Sequence, residues 1–105
     1  LNTLMDLDDM TFAENIRNEK GIVILNFIAD WCGPCKIMSP ILETIAKEEK
    51  VKIFKVNVDK SPDLAIKFGI TSVPVTMFMN SGSKICQING LKSKEELKEK
   101  LYELR

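Results

Sequence analysis

The sequence contains no histidine and carries no net charge, with fifteen Lys and Arg against fifteen Asp and Glu. Without histidine it lacks both the commonest metal ligand and the side chain that titrates near neutrality. Without surplus positive charge there is no electrostatic footprint for nucleic acid or for an anionic membrane. No apolar run approaches the roughly 18 residues that a bilayer span needs. Cysteine is scarce and odd in number, at three, which argues against a closed disulfide framework. A lone Cys-x-x-Cys gives two of the four ligands of a structural zinc site. Cys86 adds at most a third, and no histidine completes the set. No metal is therefore expected. Internal repeats, low-complexity stretches and linkers are also missing, so residues 1–105 read as a single domain.

What is present is ordinary for a folded protein. Apolar residues make up 45% and charged residues 29%, a balance that excludes disorder. A chain of this length buries a core without disulfide staples. The stretch Leu1 to Asp9 carries acidic rather than basic residues, the wrong charge for a secretory signal. Leu1 rather than Met opens the chain, which points to a segment removed or replaced upstream. Charge balance and free thiols point to the cytosol.

The pattern alternates between helix and strand. Asp8 and Asp9 precede Phe12, Glu14 and Ile16, which predicts a capped first helix ending near Lys20-Gly21. Ile22 to Ala29 is an almost continuous apolar run, the mark of a strand buried on both faces. From Pro34 to about Glu49, Met38, Ile41, Leu42 and Ile45 fall at helical spacing, with Pro40 expected to kink the helix. Val51, Ile53, Val56 and Val58 predict the next strand. Ser61-Pro62 opens a short helix that Gly69 stops. Val75–Met79 and Lys84–Ile88 flank a hairpin turn. Ser93 and Glu96 form a capping box for a last helix with Leu97, Leu101 and Leu104 on one face. The sum is an α/β fold with a central mixed sheet, parallel strands first and an antiparallel edge after.

Cys32 and Cys35 stand where the buried strand gives way to a helix. A helix N-terminus carries about half a positive charge and unpaired N–H groups, and so favours thiolate over thiol. At up to about 2 kcal/mol, this raises the thiolate fraction at neutral pH from a few per cent to about half. Cys32, on the exposed side of the turn, is the expected nucleophile. Cys35, one turn into the helix and more buried, is the expected resolving thiol. Cys32 attacks a substrate disulfide and forms a mixed disulfide. Cys35 then displaces the reduced substrate and leaves a Cys32–Cys35 disulfide. Gly33 and Pro34 shape the turn, and Pro34 has no N–H to donate. No histidine sits in the turn to add oxidising power, which favours a reductant.

The segment Ala29-Asp30-Trp31-Cys32-Gly33-Pro34-Cys35-Lys36 closely resembles the active-site signature of the thioredoxin family. Pro40, Val56-Asn57-Val58-Asp59, Phe68-Gly69-Ile70, Val73-Pro74 and Gly90 resemble it in order and spacing across nearly the whole chain. The resemblance implies the thioredoxin fold and a monomeric protein-disulfide reductase that donates electrons to other enzymes. It implies no bound cofactor, with electrons coming from NADPH through thioredoxin reductase, and a cytoplasmic setting. It further implies that Pro74 is a cis proline facing the disulfide and that the backbone of Val73 pairs with an extended substrate segment. Trp31, Gly90 and Leu91 would then form the shallow surface around Cys32.

Three positions, Asn26, Ile28 and Val75, depart from the family pattern. Asn26 stands where the family usually has a buried Asp that resembles a proton acceptor for the resolving cysteine, and Asn cannot ionise. Lys55 resembles the lysine near that Asp and here loses its partner; a solvated strand-end lysine is the competing reading. Ile28 replaces a common Trp and Val75 a common Thr, changes that bear on packing and partner choice. Cys86 reads first as a small buried apolar residue and second as a regulatory thiol. A general protein-disulfide reductase competes with a carrier dedicated to one partner system. It also competes with a binding module of weakened redox function, which only Asn26 favours and the intact cysteine pair opposes.

Overall fold

The computed structural model describes residues 4–105. Five strands form one sheet in the order β1-β3-β2-β4-β5. In chain order the elements are β1 (Leu4–Asp6), α1 (Phe12–Arg17), β2 (Ile22–Ile28), α2 (Gly33–Glu49) and β3 (Lys52–Asn57). They continue with α3 (Pro62–Lys67), β4 (Val75–Asn80), β5 (Ser83–Asn89) and α4 (Lys94–Leu104). β1 and β2 both run parallel to β3, while β4 runs antiparallel to β2 and β5. This is the mixed sheet that the sequence pattern implies.

Alternation along β2 explains its unbroken apolar run. Val23, Leu25 and Phe27 face a cluster with Phe12 and Ile16 of α1, Leu64 of α3 and Met77 of β4. Ile24 faces the opposite side, with Met38, Leu42 and Ile45 of α2, Phe78 of β4 and Leu97 and Leu101 of α4. Helices thus cover both faces of β2, whose residues Val23 to Phe27 are all buried. Each such apolar side chain withdrawn from water stabilises the fold by about 1.5–3 kcal/mol before entropy is counted.

Several local details differ from expectation. β1 is a strand in a stretch whose acidic residues give no strand signal; Leu4 pairs with Ile53 and supplies the buried position. α1 ends at Arg17 rather than near Lys20-Gly21, and Gly21 with φ 78° turns the chain into β2. Asp8 accepts from the N–H groups of Met10 and Thr11, at 3.0 and 2.9 Å, and so closes the turn before the helix. The Thr11 N–H first, then the Thr11 hydroxyl and the Met10 N–H, hold its carboxyl below its ordinary value. Asp9 is not part of that cap. Its carboxylate reaches α3, accepting from Asp63 and Leu64 N–H at 3.2 and 2.9 Å, while Ser61 makes no side-chain cap there. Pro40 lies inside α2 as expected, and the Thr44 hydroxyl donates to the Pro40 carbonyl at 3.0 Å. The hairpin turns on Ser81 and Gly82, both at positive φ, and the Ser93–Glu96 capping box opens α4 as expected.

The far end of α2 is tied to α4. Lys94 and Lys98 approach Glu48 at 3.4 and 3.0 Å, and Lys98 also approaches Glu49 at 3.3 Å. The Tyr102 hydroxyl donates to Glu49 at 2.6 Å, and Arg105 pairs with the Glu49 carboxylate and carbonyl. These partners pull both glutamates below the usual carboxylate range and push Lys98 and Tyr102 above theirs.

Candidate active site

β2 ends at Ile28, and a turn closed by Cys32 N–H donating to the Ala29 carbonyl at 3.2 Å leads into α2. Cys32 is the N-cap. Its backbone is extended, and its sulfur accepts from the Cys35 N–H at 3.1 Å. A side chain in that place meets the unpaired donors of the first turn. No acidic residue lies in that turn to oppose a thiolate, and Pro34 falls where its missing N–H costs nothing. The two cysteines form a disulfide with Cα atoms 5.3 Å apart. The Cys-Gly-Pro-Cys turn therefore places both sulfurs where the sequence implies.

Burial does not separate the two cysteines as expected. Cys32 is 3% exposed and Cys35 4%, both packed with Ala29 and flanked by Ile28, Val58 and Val73. Burial alone therefore does not single out the nucleophile. Position still distinguishes them: Cys32 precedes the helix and receives its N–H, whereas Cys35 lies inside the first turn.

Around the pair the chain brings together several residues singled out from sequence. Trp31 is 71% exposed, yet its indole N–H donates to Asp59 at 2.9 Å. Asp59 is placed by Asn57, whose side chain donates to Asp30 and accepts from the N–H groups of Asp59 and Lys60. From the sequence alone Asp59 has no evident role; the Asn57-x-Asp59 spacing is the local signal for such a turn. Trp31, Val58, Ile70 and Val73 line a small pocket of about 90 Å³. The Val73–Pro74 bond is cis, the isomer that the family resemblance implies. Gly90 donates its N–H to the Pro74 carbonyl at 2.8 Å with φ 86°, a conformation that favours glycine. Leu91, next in the chain, is exposed.

A second opening lies behind the pair. A cleft of about 570 Å³ is bordered by Ile28, Asp30, Cys35, Lys36 and Lys55. Lys55, half-buried, thus shares a cleft with the inner cysteine. Asn26 lies inward of Lys55, its register partner, and is 1% exposed. Its amide donates to the Val75 carbonyl at 3.3 Å, while its Oδ1 finds no partner. Cys86, on β5 opposite Phe78, is half-buried against the cluster beneath α2 and α4. Among the described residues no three Cys, Asp or Glu side chains are gathered to hold a metal ion, and no helix is long and apolar enough to cross a membrane.

The thioredoxin family model matches residues 3–103. Thioredoxin of Buchnera aphidicola from Acyrthosiphon pisum is 39% identical, with 98% of this chain and 97% of that one covered. Thioredoxin of Alicyclobacillus acidocaldarius is 36% identical, covering 95% and 96%. Among solved structures, a point mutant of thioredoxin from Halobacterium salinarum superposes with a TM-score of 0.89 at 27% identity, over 96% of this chain and 89% of that one. Matched along almost its whole length and carrying its cysteine pair at the head of α2, the chain belongs to the thioredoxin family and is a dithiol–disulfide oxidoreductase.

Proposed function

We propose that the protein works as a reductant of protein disulfides, with Cys32 attacking and Cys35 resolving. The observation that carries this reading is the N-cap sulfur of Cys32, which accepts the Cys35 N–H in a turn free of acidic residues. A thiolate there is stabilised before any substrate arrives. The Cys32 thiolate bonds to one substrate sulfur and expels the other. The Cys35 thiolate then bonds to Cys32 and releases the second substrate thiol, leaving the oxidised pair.

The substrate enters as an extended segment. The Val73 backbone, beside cis Pro74, offers main-chain pairing, and Trp31, Gly90 and Leu91 border the contact. Gly33 and Pro34 set the turn, and Asn26 and Lys55 tune the resolving side. Electrons return from NADPH through thioredoxin reductase to a monomer in the cytoplasm, which then serves as electron donor to other enzymes. The balanced charge supports this setting, since it offers nothing to nucleic acid or anionic lipid.

An insulin-reduction turbidity assay with NADPH and a thioredoxin reductase tests the reading. Precipitation of the insulin B chain that depends on both cysteines is expected. No reduction, by that reductase or by dithiothreitol as the electron source, overturns it.

A further inference from the structure

Ile24, Asn26 and Ile28 follow one another on the same face of β2. Ile24 packs against Met38 and Leu42 of α2, and Ile28 borders the cleft that Cys35 lines. Asn26 stands between them. Directly opposite it on β4 is Thr76, and two residues further on Phe78 joins the same cluster as Met38. Register partners share a face of the sheet. Asn26 and Thr76 are thus side by side beneath α2, 1% and 0% exposed, the polar pair in a layer of apolar side chains.

Both leave an oxygen unpaired. Asn26 Oδ1 and Thr76 Oγ1 are buried without a hydrogen-bond partner. Such oxygens are uncommon in folded proteins, because each has given up its hydration for nothing. Two of them at paired positions on one face of the sheet form a polar site that a single water can satisfy. The water donates one hydrogen to Asn26 Oδ1 and exchanges a bond with the Thr76 hydroxyl. It keeps a lone pair for a third donor, the number of contacts usual for internal water.

Lys55, the other register partner of Asn26, and Ile28, two residues along β2, both border the cleft together with Cys35, the candidate third donor. We propose that Asn26 and Thr76 hold one internal water, and that through it Thr76 acts as a positioning residue for the proton leaving Cys35. The inference rests on Cys35 being the resolving thiol. The Cys35 S–H donates to the held water, and its proton passes along water in the cleft to solvent. The thiolate then bonds to Cys32, the bond from Cys32 to the substrate sulfur breaks, and the substrate leaves as a thiolate that takes a proton from solvent. Thr76 neither gains nor loses a proton overall.

The test separates the two halves of the reaction. The reduced protein is mixed with a peptide disulfide, quenched in acid at intervals, and the mixed disulfide followed by mass. In Thr76→Val the mixed disulfide forms at the unaltered rate but decays about fivefold or more slowly, the equivalent of one lost hydrogen bond. Thr76→Ser restores the decay. Decay in Thr76→Val within about twofold of the parent, equal slowing of both halves, or no rescue by serine overturns the proposal. A second readout uses the oxidised protein. Water-proton relaxation dispersion is expected to count one long-lived internal water fewer in Thr76→Val, and an unchanged count overturns the site. A parent protein that forms no mixed disulfide overturns the reductase reading instead, and the water count still judges the site.

Discussion

At its carboxyl end α2 is held by ions. Glu48 and Glu49 meet Lys94, Lys98, Tyr102 and Arg105, and Arg105 also caps the Glu49 carbonyl. At its amino end there is no acidic residue in the first turn, and the cap is the sulfur of Cys32. The contrast separates two jobs of one helix. The far end fixes α2 against α4 through groups that never meet substrate. The near end keeps its donors free of carboxylates, so their field acts on the sulfur. Neutral Asn26 and Thr76, rather than an ion pair, lie under that end.

The largest effects are expected at the amino end. Cys32→Ser should abolish insulin reduction, a loss of about a thousandfold or more, because it removes the N-cap sulfur that attacks the substrate. Cys35→Ser should also stop turnover while still attacking once, so that a stable mixed disulfide accumulates on a gel without reductant. Rapid turnover by either variant would break the division of roles.

Next comes charge beneath the helix. Asn26→Asp buries a carboxyl where the present Oδ1 has no hydrogen-bond partner, and should cost about 2–4 kcal/mol at pH 7. Burial raises the folded pKa of an acid, so the deficit should be small below the unfolded pKa and grow as pH rises through the folded value. Melting curves from pH 3.5 to 8 check the sign. The same variant should resolve mixed disulfides faster, since a carboxylate accepts the Cys35 proton. No change in either stability or rate would remove Asn26 from the account.

A smaller effect is expected at the rim. Asp59→Ala frees the Trp31 indole and should raise KM for a protein disulfide about threefold to tenfold with kcat nearly unchanged, the worth of one hydrogen bond. A fall in kcat alone would place Asp59 in the chemistry and not in substrate contact.

The smallest effect on activity belongs to the ionic end. Arg105→Ala or Glu49→Gln should lower Tm by about 1–4 °C and leave insulin reduction unchanged. Glu48 and Glu49 titrate below their ordinary 4.5, so they stabilise the fold above the unfolded value. That contribution should fade as pH falls below 4.5 through their folded pKa values. A loss of activity in these variants would show that the two ends are coupled.

The elements that carried a strong period were legible from sequence, and so was the centre of the site. β2 announced its two buried faces, α4 its capping box, and Cys32–Cys35 its place at a strand-to-helix junction. β1 was missed because three residues with one buried Leu give no alternation; its strand character comes from β3 alongside. Asp9 capping α3 from more than fifty residues away is a tertiary fact that no local pattern encodes. Thr76 was invisible for a related reason. Inside an apolar run a threonine reads as a strand former, and only the register that sets it beside Asn26 makes its hydroxyl conspicuous. The tether from Trp31 to Asp59 likewise spans 28 positions and needs the fold to bring its ends together.

The reduction potential of the Cys32–Cys35 pair, read from equilibrium with a thiol–disulfide buffer of known poise, tests most directly whether the neutral amino end of α2 makes a reductant. The account predicts a value in the range typical of thioredoxins, about −270 mV, and a value near the about −120 mV of strong dithiol oxidants would contradict it.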